Sequence, residues 1–264
     1  MKRPTLETLR RKKAAGEPIA SMTAYDASFA AALERAGIDF ILVGDSLGMV
    51  IQGRDSTLGV TVGDIAYHCR CVHAGAPRTL LVADLPFMSY ATTAQALGNA
   101  ARLLREGNAQ MVKMEGGAWL ADTVRALDER GIPVCGHLGL LPQSVHKLGG
   151  YRVQGRDEAS AAALLEEARI LEQAGARMLV LECVPAALAA RVSGELSIPV
   201  IGIGAGARVD GQVLVLHDAL GMNPSMPRFC RDFLTGAGGI EAAFRAYVAA
   251  VRERSFPAPG ESFE

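Results

Sequence analysis

Aromatic residues are scarce in this chain: one Trp, five Tyr and eight Phe, together 5% of 264 residues. An excess of positive charge is also missing, with 27 Lys+Arg against 28 Asp+Glu, which leaves no basic footprint for nucleic acid or acidic lipid. No apolar run approaches the roughly 18 residues of a membrane span. The first residues, MKRPTLETLRRKKAAGEP, carry charge without an apolar core and do not read as a secretory signal. Cysteine is sparse and odd in number, at Cys69, Cys71, Cys135, Cys183 and Cys230, which excludes a disulfide framework and points to a reducing, cytoplasmic compartment. Cys69 and Cys71, two apart on a predicted helix with no second Cys/His pair nearby, read as packing residues.

What is present is half hydrophobic and rich in Gly. Disorder is excluded by that apolar content. The dominant pattern is alternation of element type. Short apolar runs predict strands at Ile19–Tyr25, Phe40–Asp45, Thr79–Leu85, Gln110–Glu115, Pro133–Leu138, Met178–Cys183, Pro199–Ile203 and Val213–His217. Runs such as FILVGD and MLVLEC are apolar on both faces, as strands of a covered parallel sheet are. Amphipathic stretches lie between them, at Ala27–Ala36, Val62–Ala74, Ala91–Glu106, Trp119–Arg130, Glu158–Ala174 and Pro185–Glu195. Gly107 stands where a helix-ending glycine would. Eight β–α units in this length suit one (β/α)₈ TIM barrel, an α/β fold, over residues 1–254. An open doubly wound sheet is the alternative, and it would suit a nucleotide fingerprint that is missing. Thr5–Ala15 predicts a short N-terminal helix across the barrel's lower end, Lys147–Asp157 a functional or mobile loop, and 255–264 a flexible tail.

In such a barrel the chemistry lies at the C-terminal ends of the strands. Polar residues interrupt the apolar runs there: Tyr25–Asp26, Asp45–Ser46, Asp84, Lys113 with Glu115, His137, Glu182, and His217–Asp218. Lys113 and Glu115 are two apart, so they share one face of their strand, and the barrel interior is the only affordable one for charge. Asp45, Asp84 and Glu115 then form an oxygen-rich set that calls for a hard divalent cation, Mg²⁺ foremost. A single strand-end Asp is as often a helix cap, and a lone His as often a core residue. Capping cannot explain Lys113 or Glu182, which lie inside apolar runs. Apolar surroundings should raise the pKa of Glu182 and fit it as a base for a carbon acid alpha to a carbonyl, with the metal stabilising the enolate. Lys113 and His137 would bind substrate oxygens. The segment GIGAG at 202–206 is weak as a cofactor signal, and small residues there would make room for ligand.

Stretches of the chain resemble the ketopantoate hydroxymethyltransferase (3-methyl-2-oxobutanoate hydroxymethyltransferase) family: MTAYDASFA at 22–30, LVGDSLGMVIQG at 42–53, TLLVADLPFMSY at 79–90, VKMEGG at 112–117, GIPVCGHLGLLPQSVHKLGGYRVQGR at 131–156, LECVP at 181–185 and IPVIGIGAG at 198–206. The resemblance runs in order through nearly the whole chain. It implies a Mg²⁺-binding (β/α)₈ barrel that transfers a hydroxymethyl group from 5,10-methylenetetrahydrofolate to 3-methyl-2-oxobutanoate, giving 2-dehydropantoate and tetrahydrofolate for pantothenate synthesis. It implies metal binding at Asp45, Asp84 and Glu115. Substrate binding falls to Asp45, Ser46, Asp84 and Lys113, with His137 lining the pocket, and Glu182 is the proton acceptor. It also implies a cytoplasmic homodecamer of two pentamers. Val209, where the family pattern has Cys, and the following PSMPRFCRDF depart from it, which bears on subunit contacts or the folate site. Met49, Val50 or Leu138 would wall the isopropyl group. Two rivals stand beside this reading. A Mg²⁺-dependent C–C lyase or mutase of the phosphoenolpyruvate mutase/isocitrate lyase type would want a nucleophilic Cys in the 147–157 loop, which has none. A non-catalytic barrel would not need both the acid set and Glu182.

Overall fold

The computed structural model describes residues 4–264. Its first element is α1 (Leu6–Ala15), capped by Thr5, which accepts from the backbone of Thr8, and closed by Gly16 in the left-handed conformation. Then come β1 (Ile19–Thr23), α2 (Ala27–Ala36), β2 (Phe40–Val43), the single turn α3 (Leu47–Val50), α4 (Val62–Gly75), β3 (Leu80–Asp84), α5 (Thr93–Gly107), β4 (Met111–Glu115) and α6 (Ala121–Asp128). The second half runs β5 (Val134–Gly139), α7 (Val145–Leu148), α8 (Glu158–Gln173), β6 (Met178–Glu182), α9 (Ala186–Glu195), β7 (Val200–Ile203), β8 (Gly211–Leu214), α10 (Leu216–Ala219) and α11 (Ile240–Arg252).

Among the described residues eight parallel strands pair in sequence order and close on themselves, β8 beside β1 with Ile19 opposite Gly211. The closure depends on Gly211, because a Cβ there would come within 2.3 Å of the Ile19 carbonyl oxygen. Nearly every strand residue is buried, as a sheet with side chains inside and helices outside requires. α1 lies at the lower end, as predicted. Lys12 pairs with Asp39, just before β2, and Lys13 Nζ lies 2.7 Å from Asp210 Oδ2, just before β8.

Three sequence expectations are corrected, and one helix lay outside them. Strand eight starts and ends earlier than Val213–His217, and His217 and Asp218 belong to α10. The left-handed residue closing α5 is Asn108, at φ 57°, while Gly107 stays helical, where a Cβ would sit 2.9 Å from the Cys69 Cβ. α11, unread in the sequence, packs its buried Phe244, Tyr247 and Val251 beside β1 and α2, and the Tyr247 hydroxyl donates to the Ser21 carbonyl at 2.7 Å. The segment 255–264 is held rather than free. Phe256 is buried, Arg231 pairs with Glu261 at 2.7 Å, and the Ala186 amide donates to the Phe263 carbonyl at 2.8 Å. Its polar look hid two Phe anchors.

Candidate active site

A cavity of about 450 Å³ opens at the C-terminal ends of the strands. Its deep side collects the predicted residues. The register puts Asp84 beside Lys113 and Glu115 beside His137. Lys113 Nζ lies 2.7 Å from Asp84 Oδ1, 3.8 Å from Glu115 Oε1 and 3.4 Å from His137 Nδ1. His137 spans two acids: Nδ1 is 3.3 Å from Glu115 Oε1, and Nε2 is 3.3 Å from Glu182 Oε2. The second contact is poorly aligned, which leaves Nε2 without a formal hydrogen bond. Asp45 follows β2 through Gly44, and its amide donates to Asp84 Oδ2 at 2.9 Å. Gly44 eases this approach, since a Cβ there would stand a tight 3.3 Å from that carboxylate oxygen and 3.1 Å from Ser46 Oγ. Ser46 exchanges a hydrogen bond with the Tyr25 hydroxyl at 2.8 Å.

The electrostatics follow from this packing. Burial and the charges of Asp84 and Glu115 push the Asp45 carboxyl well above its ordinary range, and Lys113 and Gln143 only partly offset them. Glu115 is buried as deeply, yet its carboxyl is held low by His137 and Lys113. Burial and Lys113 press His137 down, but Glu115 and Glu182 outweigh them and raise it to about 9. Glu182 faces the cavity with 15% of its side chain exposed, and the apolar neighbours read in MLVLECVP, Leu179 and Leu181, alternate away from it.

Gln143 escaped the sequence reading. Its buried side-chain Nε2 donates to Asp45 Oδ2 at 2.8 Å and to the Leu85 carbonyl at 3.1 Å, its backbone N–H donates to Glu115 Oε2 at 3.0 Å, and its side-chain Oε1 accepts from the Tyr90 hydroxyl. It clasps the acids of β2 and β4. A buried glutamine in LPQS would have been the only signal.

No group of three or more His, Cys, Asp or Glu side chains among the described residues is arranged as a metal-holding set, and the Lys113 ammonium stands among the carboxylates. The donor chemistry still suits a hard cation. Four acids (Asp45, Asp84, Glu115, Glu182) face Lys113 and His137, and Asp45 is the acid left least compensated.

The wall is completed by residues the sequence placed loosely. Met49 and Val50 line the cavity as expected, whereas Leu138 does not and Leu140 takes its place. Tyr151, Arg152 and Val153 of the 147–157 loop line the mouth, pinned by the Gln154 amide on the Cys183 carbonyl at 2.9 Å. GIGAG makes room for the protein's own side chains rather than for ligand. A Cβ on Gly204 would lie 3.0 Å from the Phe229 ring, and one on Gly206 2.5 Å from the Ala186 Cβ.

Comparison with known proteins identifies the family and the fold. The sequence profile of the ketopantoate hydroxymethyltransferase family matches residues 3–259. The 3-methyl-2-oxobutanoate hydroxymethyltransferase of Cronobacter sakazakii is 60% identical over 264 residues, covering 100% of both chains. That of Halorhodospira halophila is 58% identical over 260 residues, covering 98% of this chain and 94% of its own. Among solved structures, a phosphonopyruvate hydrolase in complex with oxalate and Mg²⁺ superposes with a TM-score of 0.62 at 14% identity, covering 98% of this chain and 93% of that one. A 2,3-dimethylmalate lyase of the phosphoenolpyruvate mutase/isocitrate lyase superfamily gives 0.58 at 19% identity, with 82% of each chain covered. The rival lyase/mutase group therefore shares the fold at a distance. The chain belongs to the ketopantoate hydroxymethyltransferase family.

Proposed function

We propose that this chain transfers a hydroxymethyl group from 5,10-methylenetetrahydrofolate to 3-methyl-2-oxobutanoate, giving 2-dehydropantoate and tetrahydrofolate with one water consumed. The observation that carries it is the juxtaposition of a cavity-facing base, Glu182, with the Asp45–Asp84–Lys113–Glu115 cluster in one cavity, in a chain 60% identical to an enzyme named for this reaction. Asp45 and Asp84, with Glu115, would hold Mg²⁺. Bound there, the ion supplies positive charge for the oxygens of a 2-oxo acid. Lys113 attracts the substrate carboxylate, and the Ser46 hydroxyl, set by Tyr25, offers a further hydrogen bond. Met49 and Val50 receive the isopropyl end. That orientation presents the C3 hydrogen to Glu182, which takes it as a proton. His137 Nε2 stands 3.3 Å from that carboxylate. Nucleophilic C3 then takes the one-carbon unit. Pantothenate synthesis in the cytoplasm, by a decamer of two pentameric rings, completes the reading. Among the described residues no helix is long and apolar enough to cross a membrane.

Purified protein with Mg²⁺ and both substrates should release tetrahydrofolate, and absence of turnover would overturn the proposal. Glu182→Gln should lower C3 deuterium exchange of the oxo acid by about 10²- to 10⁴-fold, the usual worth of a general base. Exchange at the wild-type rate in that variant would assign the proton to another residue.

A further inference from the structure

The acids and Lys113 used above sit on the side of β2 to β5, with Glu182 at the end of β6. A small 2-oxo acid leaves much of a cavity this size, within the range that holds drug-sized ligands, unfilled. The remaining wall belongs to β7, β8 and the segments after them, and β8 stands across the ring from β4. That wall has a different chemistry. Ile203, Val213, Val215, Phe229 and Phe263 make it apolar. The two Phe rings meet edge to face at 6.2 Å, and Gly204 leaves them their space. One acid interrupts this wall. Asp218 is 8% exposed and lines the cavity, and its Oδ1 accepts from Asn223 Nδ2 at 3.1 Å. The Cys230 thiol is its other close partner, and burial pushes its carboxyl up. No described Lys or Arg pairs with it. A carboxylate has about four acceptor positions, so capacity remains toward the cavity. Nothing in the 2-oxo acid chemistry uses it. At the rim, Arg152 and Arg228 bring two guanidinium groups to the mouth.

We propose that this wall is the folate subsite, with Asp218 accepting both N–H donors of the pterin's amino-pyrimidinone edge, Phe229 and Phe263 against its ring, and the rim arginines toward the glutamate carboxylates. The proposal rests on the methylenetetrahydrofolate reading and adds the residues that recognise it. A planar ring with adjacent N–H donors and an anionic tail matches a buried acid, an aromatic wall and a basic mouth in one cavity. It places the one-carbon donor opposite Lys113, with C3 of the oxo acid between them.

The test uses the full-length enzyme with Mg²⁺. Asp218→Asn keeps the shape and sets an amide donor against a donor. It should raise KM for methylenetetrahydrofolate, and weaken calorimetric binding of tetrahydrofolate, by roughly tenfold to a hundredfold, the cost of a lost charge-assisted pair. C3 exchange of the oxo acid, which needs no folate, should stay within about twofold. Phe229→Leu should weaken tetrahydrofolate binding in the same selective way, and it decides the matter alone if the Asp218 variant does not fold. Wild-type folate affinity in both variants would overturn the proposal, and so would equal loss of oxo-acid and folate binding. A wild-type chain that exchanges C3 but binds no tetrahydrofolate would instead overturn the folate reading on which it rests.

Discussion

Gln143 shows how much of the site rests on one neutral residue. The acids it joins come from different strands, and burial together with the charges of Asp84 and Glu115 is what raises Asp45. Gln143→Leu leaves the Asp45 carboxylate buried without its donor, and unsatisfied buried polar groups cost about 1–3 kcal/mol. We expect that loss in urea denaturation, together with weaker calorimetric Mg²⁺ binding. Unchanged Mg²⁺ affinity would make Gln143 a purely structural clasp. At this scale the sequence was legible wherever a charge broke an apolar run. Asp45, Asp84, Lys113, Glu115, His137 and Glu182 all reached the same cavity. Gln143 and Tyr90 were not legible, because neutral polar residues in a loop carry no periodic signature, and their value comes from partners far apart in sequence.

Among the elements, α1 separates stability from chemistry. Its Lys13 holds Asp210, which also accepts from the Val200 amide at 2.8 Å and from the Ser193 hydroxyl at 3.0 Å, at the end of the barrel away from the cavity. Lys13→Ala removes the cation from a nearly buried acid. It should destabilise the fold by about 1–3 kcal/mol in chemical denaturation while kcat and KM stay put. A change in kcat would mean that the two ends of the barrel are coupled. The strands and helices were read well because their apolar spacing is local. β8 was misplaced because VLVLHDAL is as apolar after residue 214 as before it, and only its pairing with β1 and β7 ends the strand. α11 lay beyond a Gly-rich stretch where the β–α alternation no longer guided the reading, and GIGAG needed the rings of Phe229 and Phe263 in view before its glycines made sense.

On the scale of the molecule, charge is balanced in total and segregated in space, with acids gathered in the cavity and basic residues of α1 tied to acids below. Large apolar side chains also remain on the outside: Trp119 is 65% exposed, Met88 61% and Tyr67 56%. For the proposed decamer, light scattering of the full chain should give a mass near 278 kDa, ten times 27.8 kDa. A mass near that of one chain would overturn the assembly.

Phe263 lines the same cavity as Asp45, though 218 residues (263 − 45) separate them. A ribosome that has released Asp45 must therefore add most of the chain before the far wall of the cavity can form, and the ring itself cannot shut until β8 meets β1. Interrupted translation products would thus hold the acidic half of the site without its far wall. The complete cavity wall therefore exists only in a chain extended through residue 263.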